Sequence, residues 1–329
     1  MPSEKIFITR SHIIPEAIAY LDGIYDVEVW QQNSPPPRGL LHEKVQECDA
    51  MLTEVTDIID AELLDTATTL KVVANRAVGL DNIDIPAATR NGILIGNTPG
   101  VLHESCADFT FGLMLSLARN IAYGERKIRA KEWTVFDQIP YLGTDVHGAT
   151  LGIIGMGLIG TAVARRAKAF DMRIIYNSRT RKPDVESALG AEWRDDMDSV
   201  LRESDYVSLH MPLTPDTEYM ISKRELELMQ STAFLINTTR GRTVNPRDLY
   251  DALSSGDIAG AAIDVTDPEP IPFDDPLLTL DNLLVTPHIA SASRQTVRRM
   301  GQMSADNIIA AIKGETMPGC VNPDALAMG

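Results

Sequence analysis

The chain has 329 residues, of which 44% are hydrophobic and 23% charged, and its formal net charge is −16. This composition is typical of a globular protein of about two domains, and the acidic balance without a long basic run disfavours binding to nucleic acid or to an anionic membrane. The three cysteines are far apart and show no metal-binding spacing, so we expect a reducing compartment and no metal site. The sequence has neither a signal-peptide pattern nor an apolar run of membrane-spanning length, which favours the cytoplasm.

The first hundred residues alternate between short apolar strands and helical patterns. Strands are predicted over residues 5–9, 27–30, 50–53, 71–75 and 93–95, and helices over 15–21, 41–48, 61–67 and 85–91. This alternation predicts a parallel sheet that is covered by helices on both faces. In such sheets, ligands bind where the strands end and turns lead into helices.

A break at residues 97–100 is predicted to be a hinge, and a second alternating series follows it. Helices are predicted over 103–121 and then to about 131, followed by an irregular stretch over 133–147. Further strands are predicted over 151–154, 173–176, 206–209, 233–236, 261–263 and 283–285, and a last helix over 292–313. The chain is therefore predicted to be an α/β protein with two doubly wound parallel-sheet domains.

A glycine motif, Gly155-Met156-Gly157-Leu158-Ile159-Gly160, lies between the first strand of the second series and a helical pattern over 161–170. Glycines there allow a tight turn and close approach to a pyrophosphate, which the N–H groups of the helix can bind. Taken alone, the motif leaves open that the glycines only cap a helix and fill a turn. Its setting favours a dinucleotide site, and the candidate contacts are Gly155, Gly157, Leu158, Ile159, Gly160, Pro212 and Thr238.

The next strand is followed by the basic segment Ser178-Arg179-Thr180-Arg181-Lys182. NAD sites usually have an acidic residue at this place, which binds the ribose 2′-hydroxyl and repels a 2′-phosphate. Here the hydroxyls of Ser178 and Thr180 can donate hydrogen bonds, and the guanidinium groups of Arg179 and Arg181 suit a phosphate. A solvated basic loop is the alternative, but it does not explain the missing acid. We therefore predict a preference for NADPH over NADH.

Three side chains follow successive strands of the second series: Arg240, Glu269 and His288. Reduction of a 2-oxo acid needs a cation for the carboxylate and ketone, an acid for the forming alkoxide, and a group that orients that acid. Arg240 suits the first role, His288 the second and Glu269 the third, because a carboxylate beside a histidine favours imidazolium. Each residue also has a structural alternative: a surface salt bridge for Arg240, a capping role for His288 and an exposed loop position for Glu269. We expect a structural role for His210, which follows another strand.

Five segments in this order resemble the D-isomer-specific 2-hydroxyacid dehydrogenase family, and within it the glyoxylate/hydroxypyruvate reductases. They cover residues 75–84, 151–160, 236–242, 264–270 and 286–291. The resemblance implies a flavodoxin-like substrate domain over 1–100 and 288–329, a Rossmann cofactor domain over 101–287, and a cleft between them. Arg76, Leu80 and Thr266 depart from residues that are frequent in the family on the substrate side.

The resemblance also implies roles for individual residues. The backbone N–H groups of Val78 and Gly79 hold the substrate carboxylate, and Arg240, His288 and Ser291 complete the substrate contacts. Asp264 contacts the nicotinamide amide, with a turn-forming role at the strand end as its alternative. Residues near 103–145 form a homodimer, in which Tyr141 either reaches the partner's site or is a core aromatic.

The function predicted from the sequence is NADPH-dependent reduction of a small anionic 2-oxo acid, glyoxylate or hydroxypyruvate, to glycolate or D-glycerate. Two alternatives stay open. One is 2-ketogluconate reduction or another D-2-hydroxyacid dehydrogenase activity. The other is a nucleotide-sensing, corepressor-like binding protein on the same fold.

Overall fold

The computed structural model of the protein describes residues 4–11 and 15–327. The chain divides into two compact units. The first contains the residues up to Leu102 together with those from Ala292 onward, and the second runs from His103 to Ser291. Within the described ranges, no helix has the length and apolar character needed to cross a membrane, and no group of three or more His, Cys, Asp or Glu residues could hold a metal ion.

The first unit is built on a five-stranded parallel sheet in the order β2-β1-β3-β4-β5. Its strands are β1 (Lys5–Ile8), β2 (Asp26–Val29), β3 (Ala50–Thr53), β4 (Val72–Asn75) and β5 (Leu94–Gly96), and its first helices are α1 (Pro15–Asp22), α2 (Arg38–Glu47), α3 (Ala61–Leu64) and α4 (Ile85–Arg90). β3 and β4 are buried along their whole length. Apolar cores lie on both faces of the sheet, as a parallel sheet requires.

The second unit contains a seven-stranded parallel sheet in the order β12-β11-β10-β9-β6-β7-β8. Its helices are α5 (His103–Ala118), α6 (Ile121–Arg129), α7 (Leu158–Ala169), α8 (Pro183–Leu189), α9 (Met197–Glu203), α10 (Lys223–Leu228) and α11 (Pro246–Ser255). Its strands are β6 (Thr150–Ile154), β7 (Arg173–Asn177), β8 (Glu192–Trp193), β9 (Tyr206–Leu209), β10 (Phe234–Asn237), β11 (Gly260–Ile263) and β12 (Leu283–Val285). Two apolar clusters cover this sheet, so the predicted fold of two doubly wound parallel-sheet domains is confirmed.

The last helix, α12 (Arg294–Lys313), belongs to the first unit and packs against α1, β3 and β4. The Ser293 hydroxyl caps its first turn by accepting a hydrogen bond from the N–H of Thr296, and Gly314 ends it at a φ of 69°. The carbonyl of Asn97 accepts a hydrogen bond from Asn307 of this helix at 2.9 Å. These contacts return the C-terminal part of the chain to the sheet formed by its first hundred residues.

Three details differ from the sequence prediction. The strand β8 is absent from the prediction because its two residues are too short to show a pattern. Helix α7 begins at Leu158, inside the glycine motif, whereas the apolar pattern placed its start at residue 161. A short 3-10 helix, Ile139–Tyr141, lies in the stretch over 133–147 that is predicted to be irregular.

Candidate active site

The glycine motif forms the turn between β6 and α7, and the surroundings of its glycines explain the residue type. Gly155 has a φ of 99°, and a Cβ atom on it would lie 2.7 Å from the backbone of His210. A Cβ atom on Gly160 would lie 2.3 Å from the carbonyl oxygen of Gly155. Gly157 caps α7 without a side-chain hydrogen bond, so the first N–H groups of the helix are open to an anion. This turn fits the pyrophosphate of a dinucleotide.

The other predicted cofactor residues of the second unit lie along one edge of its sheet. Ser178 follows β7, Pro212 follows β9, Thr238 follows β10 and Asp264 follows β11. With β6 these are neighbouring parallel strands, and ligands bind at the carboxyl ends of such strands. The structure therefore brings the predicted cofactor residues together.

Within the basic segment after β7, the two arginines have different surroundings. Arg179 and Thr180 are exposed, and within the described ranges Arg179 makes no ion pair. Arg181 instead forms two hydrogen bonds of 2.8 Å with the carboxylate of Glu186 in α8. Its guanidinium also lies 5.4 Å from the ring centre of Trp193 in β8. Sequence reasoning missed Glu186 and Trp193 because both follow the basic segment, in elements that carry no motif.

A histidine–carboxylate pair lies at the ends of β11 and β12. Nδ1 of His288 is 2.5 Å from Oε1 of Glu269. Burial alone would raise the pKa of the Glu269 carboxyl, but the hydrogen bond with His288 and the charges of His288 and Arg240 outweigh it and hold the pKa below its ordinary value. Glu269 is therefore an anion near neutral pH, and it directs a proton on Nδ1 toward itself. Nε2 of His288 is left as the atom that can carry a second proton to a substrate.

Arg240 lies at the end of β10, next to the turn that carries Glu269. Its neighbour Gly241 packs against this turn, since a Cβ atom on Gly241 would lie 1.9 Å from the carbonyl oxygen of Thr266. Nη1 of Arg240 donates to the carbonyl oxygen of Thr239 at 2.9 Å, and the Arg240 charge contributes to the lowered pKa of Glu269. The three residues predicted to be catalytic are thus brought to one region of the second unit.

The loop of His288 is held by Asp264, which is 1% exposed. The carboxylate accepts hydrogen bonds from the hydroxyl of Thr286 at 2.6 Å and from the N–H groups of Ile289 and Ala290 at 2.9 and 2.7 Å. Burial raises the pKa of Asp264, and these hydrogen bonds lower it; burial prevails. His288 itself has a φ of 55°, a conformation that costs a non-glycine residue about 1 kcal/mol or more and is found at functional sites. Sequence reasoning missed Thr286 as a partner of Asp264.

In the first unit, the turn after β4 carries Val78 and Gly79. Their carbonyl oxygens accept hydrogen bonds from Asn97 at 3.0 Å and from Asn75 at 3.1 Å. Their backbone N–H groups donate to no other group in the part of the chain that the structure describes. Two adjacent N–H groups on a turn fixed through its carbonyls form a suitable site for a carboxylate.

Comparison with known proteins identifies the family. Residues 111–290 match the model of the D-isomer specific 2-hydroxyacid dehydrogenase NAD binding domain. The chain belongs to the D-isomer specific 2-hydroxyacid dehydrogenase family. It is therefore an NAD(P)-dependent dehydrogenase, and the dinucleotide that its glycine turn fits is a nicotinamide cofactor.

Individual relatives match this dehydrogenase over nearly its full length. It is 47% identical over 327 residues to the glyoxylate reductase of Thermococcus litoralis, an alignment that covers 98% of each chain. A crystal structure of a Thermus thermophilus protein superposes with a TM-score of 0.90 at 40% identity, covering 96% of this chain and 99% of that one. An NADPH-dependent glyoxylate/hydroxypyruvate reductase of Sinorhizobium meliloti, in complex with NADP and malonate, has a TM-score of 0.85 at 28% identity, with 98% of both chains covered.

His210, beside the glycine turn, is neutral near physiological pH. Burial lowers its pKa to about 3, and its Nε2 lies 2.8 Å from the hydroxyl of Ser208. A general acid must hold a proton at the working pH, which His210 does not. Ser291 and Tyr141 are both partly exposed, and the roles assigned to them stay predictions.

Proposed function

We propose that this dehydrogenase reduces glyoxylate and hydroxypyruvate to glycolate and D-glycerate, with NADPH as its preferred cofactor. The observation that carries the proposal is the 2.5 Å pair of His288 and Glu269 beside Arg240, because it supplies a proton donor next to a cation. The glyoxylate reductase relative and the NADPH-dependent glyoxylate/hydroxypyruvate reductase support the choice of substrate and cofactor.

The proposed mechanism assigns one task to each side chain. When bound, the reduced nicotinamide supplies a hydride to the carbonyl carbon of the substrate. His288 gives the proton on Nε2 to the carbonyl oxygen as the alkoxide forms, and Glu269 stabilises the protonated ring through Nδ1. Arg240 binds the carboxylate and polarises the carbonyl group, because its guanidinium matches carboxylate geometry.

The remaining contacts are proposed for the substrate carboxylate and for the cofactor. The N–H groups of Val78 and Gly79 bind the carboxylate, and Ser291 adds a pocket contact. Asp264 is proposed to contact the nicotinamide amide in addition to holding the His288 loop. The 2′-phosphate of NADPH is proposed to bind at the segment from Ser178 to Arg181, which itself contains no acidic residue.

The test is oxidation of NADPH by the purified protein with a panel of 2-oxo acids: glyoxylate, hydroxypyruvate, 2-ketogluconate and pyruvate, each with NADPH and with NADH. We expect kcat/KM to be highest for glyoxylate or hydroxypyruvate with NADPH. The variant His288→Ala should lose most of this turnover and still bind NADPH in a fluorescence titration. Failure of every 2-oxo acid to oxidise either cofactor would favour the binding-protein alternative and refute the proposal.

We further propose a homodimer that forms through residues near 103–145, and a cytoplasmic location. Exposed apolar side chains are concentrated in this part of the second unit: Ile121, Ile128, Trp133, Val135, Phe136, Ile139 and Leu142. Phe136 is 79% exposed, and a cluster of this kind is typical of an interface. Light scattering should give the molar mass of a dimer for the native protein and a lower average mass for Phe136→Glu, because part of the variant dissociates into monomers.

A further inference from the structure

The segment that follows β7 is fixed by a chain of contacts among side chains of three elements. The hydroxyl of Tyr176, at the end of β7, donates to Oε1 of Glu186 at 2.7 Å. The same hydroxyl accepts a hydrogen bond of 2.7 Å from the N–H of Lys182. Glu186 also receives both hydrogen bonds of Arg181, and Trp193 stacks on the Arg181 guanidinium. We call these five residues the turn clamp.

The turn clamp occupies one edge of the Arg181 guanidinium, the edge of Nε and Nη2. Nε and Nη2 of Arg181 both point to the Glu186 carboxylate, which is the fork geometry that a phosphate would otherwise occupy. The Glu186 side chain is 17% exposed, and the hydrogen bonds from Arg181 and Tyr176 lower its pKa to about 2. The carboxylate is therefore charged at any working pH, and it competes with a phosphate for Arg181.

The turn clamp leaves the preceding three residues outside it. Ser178, Arg179 and Thr180 lie between the end of β7 and the clamped part of the segment. Arg179 is exposed, and within the described ranges it has no acidic partner. It is the arginine of this segment whose charge is available to a phosphate.

We propose that Arg179 binds the 2′-phosphate of NADPH, and that Arg181 is a positioning residue that acts through Glu186 and Tyr176 to hold the segment in place. This inference rests on the proposed NADPH preference and deepens it. It assigns different roles to two arginines that the sequence alone does not distinguish. It also makes Glu186, an acidic residue close to a phosphate site, a contributor to NADPH binding.

The decisive variant is Glu186→Ala, measured as KM for NADPH and for NADH. Removal of a negative charge near a phosphate should strengthen NADPH binding on Coulombic grounds alone. If Glu186 positions the segment, the KM for NADPH instead rises, by about tenfold, because the phosphate contacts are misplaced. The ratio of the NADPH and NADH KM values should rise with it. A lower KM for NADPH would show that Glu186 only withholds Arg181 from the phosphate, and would overturn the inference.

Arg181→Ala and the double variant Arg181→Ala/Glu186→Ala complete a double-mutant cycle with Glu186→Ala, in which KM for NADPH is compared. We expect each single variant and the double variant to raise the KM for NADPH by the same factor, because residues that act as one unit are not additive. Tyr176→Phe removes one hydroxyl without a change of charge and should move the KM for NADPH in the same direction. A further loss in the double variant beyond Glu186→Ala would mean that Arg181 binds the phosphate directly.

Two more variants separate this inference from the proposed function. Arg179→Ala should raise the NADPH-to-NADH ratio of KM values by about tenfold to a hundredfold, the effect of one charge-assisted contact. Arg179→Ala without any change in this ratio would refute the assignment of the 2′-phosphate to Arg179, whereas a native enzyme that uses NADH as well as NADPH would refute the proposed NADPH preference itself. Arg247→Ala removes an arginine that is also paired with an acid, Asp251, on the exposed face of α11. It should leave the ratio unchanged, and thermal unfolding of all variants identifies any that fail to fold.

Discussion

The carboxylate of Asp264 accepts a hydrogen bond from the N–H of Ala290 at 2.7 Å, and thereby ties the end of β11 to the loop that follows β12. The same side chain binds the hydroxyl of Thr286 and the N–H of Ile289, so its bonds enclose His288 on both sides along the chain. The carbonyl of Asp264 also accepts the N–H of His288 at 2.7 Å. Asp264 therefore fixes the position of His288, the predicted proton donor.

Replacement of Asp264 by Asn should lower both stability and turnover. The amide retains one acceptor oxygen and places an NH2 group against donors, so we expect a loss of about 1–3 kcal/mol in the free energy of unfolding. The kcat for 2-oxo acid reduction should fall with it, because the His288 loop loses its anchor. Urea unfolding and steady-state kinetics measure the two effects. Asp257→Asn, an exposed acid bonded to Ser255, is the control, and unchanged kcat in Asp264→Asn would contradict the prediction.

Replacement of Glu269 by Gln tests the partner of His288. The neutral amide does not favour imidazolium as the carboxylate does, so kcat for reduction should fall by about a hundredfold. Steady-state kinetics with glyoxylate and NADPH measure kcat, and a kcat equal to that of the native enzyme would mean that Glu269 does not act through His288.

The buried His210 predicts how stability depends on pH. Its pKa in the folded protein is lowered to about 3, against about 6.5 in an unfolded chain. Between these values the unfolded chain binds a proton that the folded chain does not, so stability should fall as the pH drops from about 6.5, by up to about 1.4 kcal/mol per pH unit. In urea unfolding between pH 7 and pH 4, the free energy of unfolding of His210→Asn should depend less steeply on pH than that of the native protein. The exposed His147→Asn is the control, and equal slopes for native and His210→Asn would contradict the prediction.

The fold was predictable because most of its elements carry their own pattern. The strands Ala50–Thr53, Tyr206–Leu209 and Leu283–Val285 have the bounds that the sequence predicts, since each is a short apolar run between polar turns. The start of α7 was not predictable from apolar periodicity, because its first turn consists of the glycine motif itself.

The candidate site was predictable as a set of residues, but their contacts were not. Motifs and resemblance single out Arg240, Glu269 and His288, yet the 2.5 Å hydrogen bond between the last two depends on tertiary structure. The arginines at 179 and 181 are equivalent in sequence. What separates them is Glu186, in the next helix, and a strand of two residues that no pattern reveals.

Arg76 and Glu54 give the last prediction, at the turn that carries Val78 and Gly79. Nη2 of Arg76 donates to the Glu54 carboxylate at 2.7 Å, and Nε forms a second hydrogen bond with the same carboxylate. The two side chains are only 12% and 6% exposed. Burial raises the pKa of Glu54, and the charge of Arg76 and its hydrogen bond lower it but only in part. The carboxylate therefore depends on this arginine to remain charged.

Arg76→Met should therefore cost about 3 kcal/mol in the free energy of unfolding, because it leaves a buried carboxylate without its partner. It should also raise the KM for the 2-oxo acid, since Arg76 begins the turn of Val78 and Gly79. The double variant Arg76→Met/Glu54→Leu should recover most of the stability, as buried ion pairs replaced by apolar pairs often do. Arg173→Met breaks a pair with Glu192 in which both side chains are 45% exposed, and it should cost less than about 1 kcal/mol. Urea unfolding of these variants and of Glu54→Leu gives the loss in the free energy of unfolding for each. If the loss in the double variant equals the sum of the losses in Arg76→Met and Glu54→Leu, the two side chains are not coupled and the prediction is wrong.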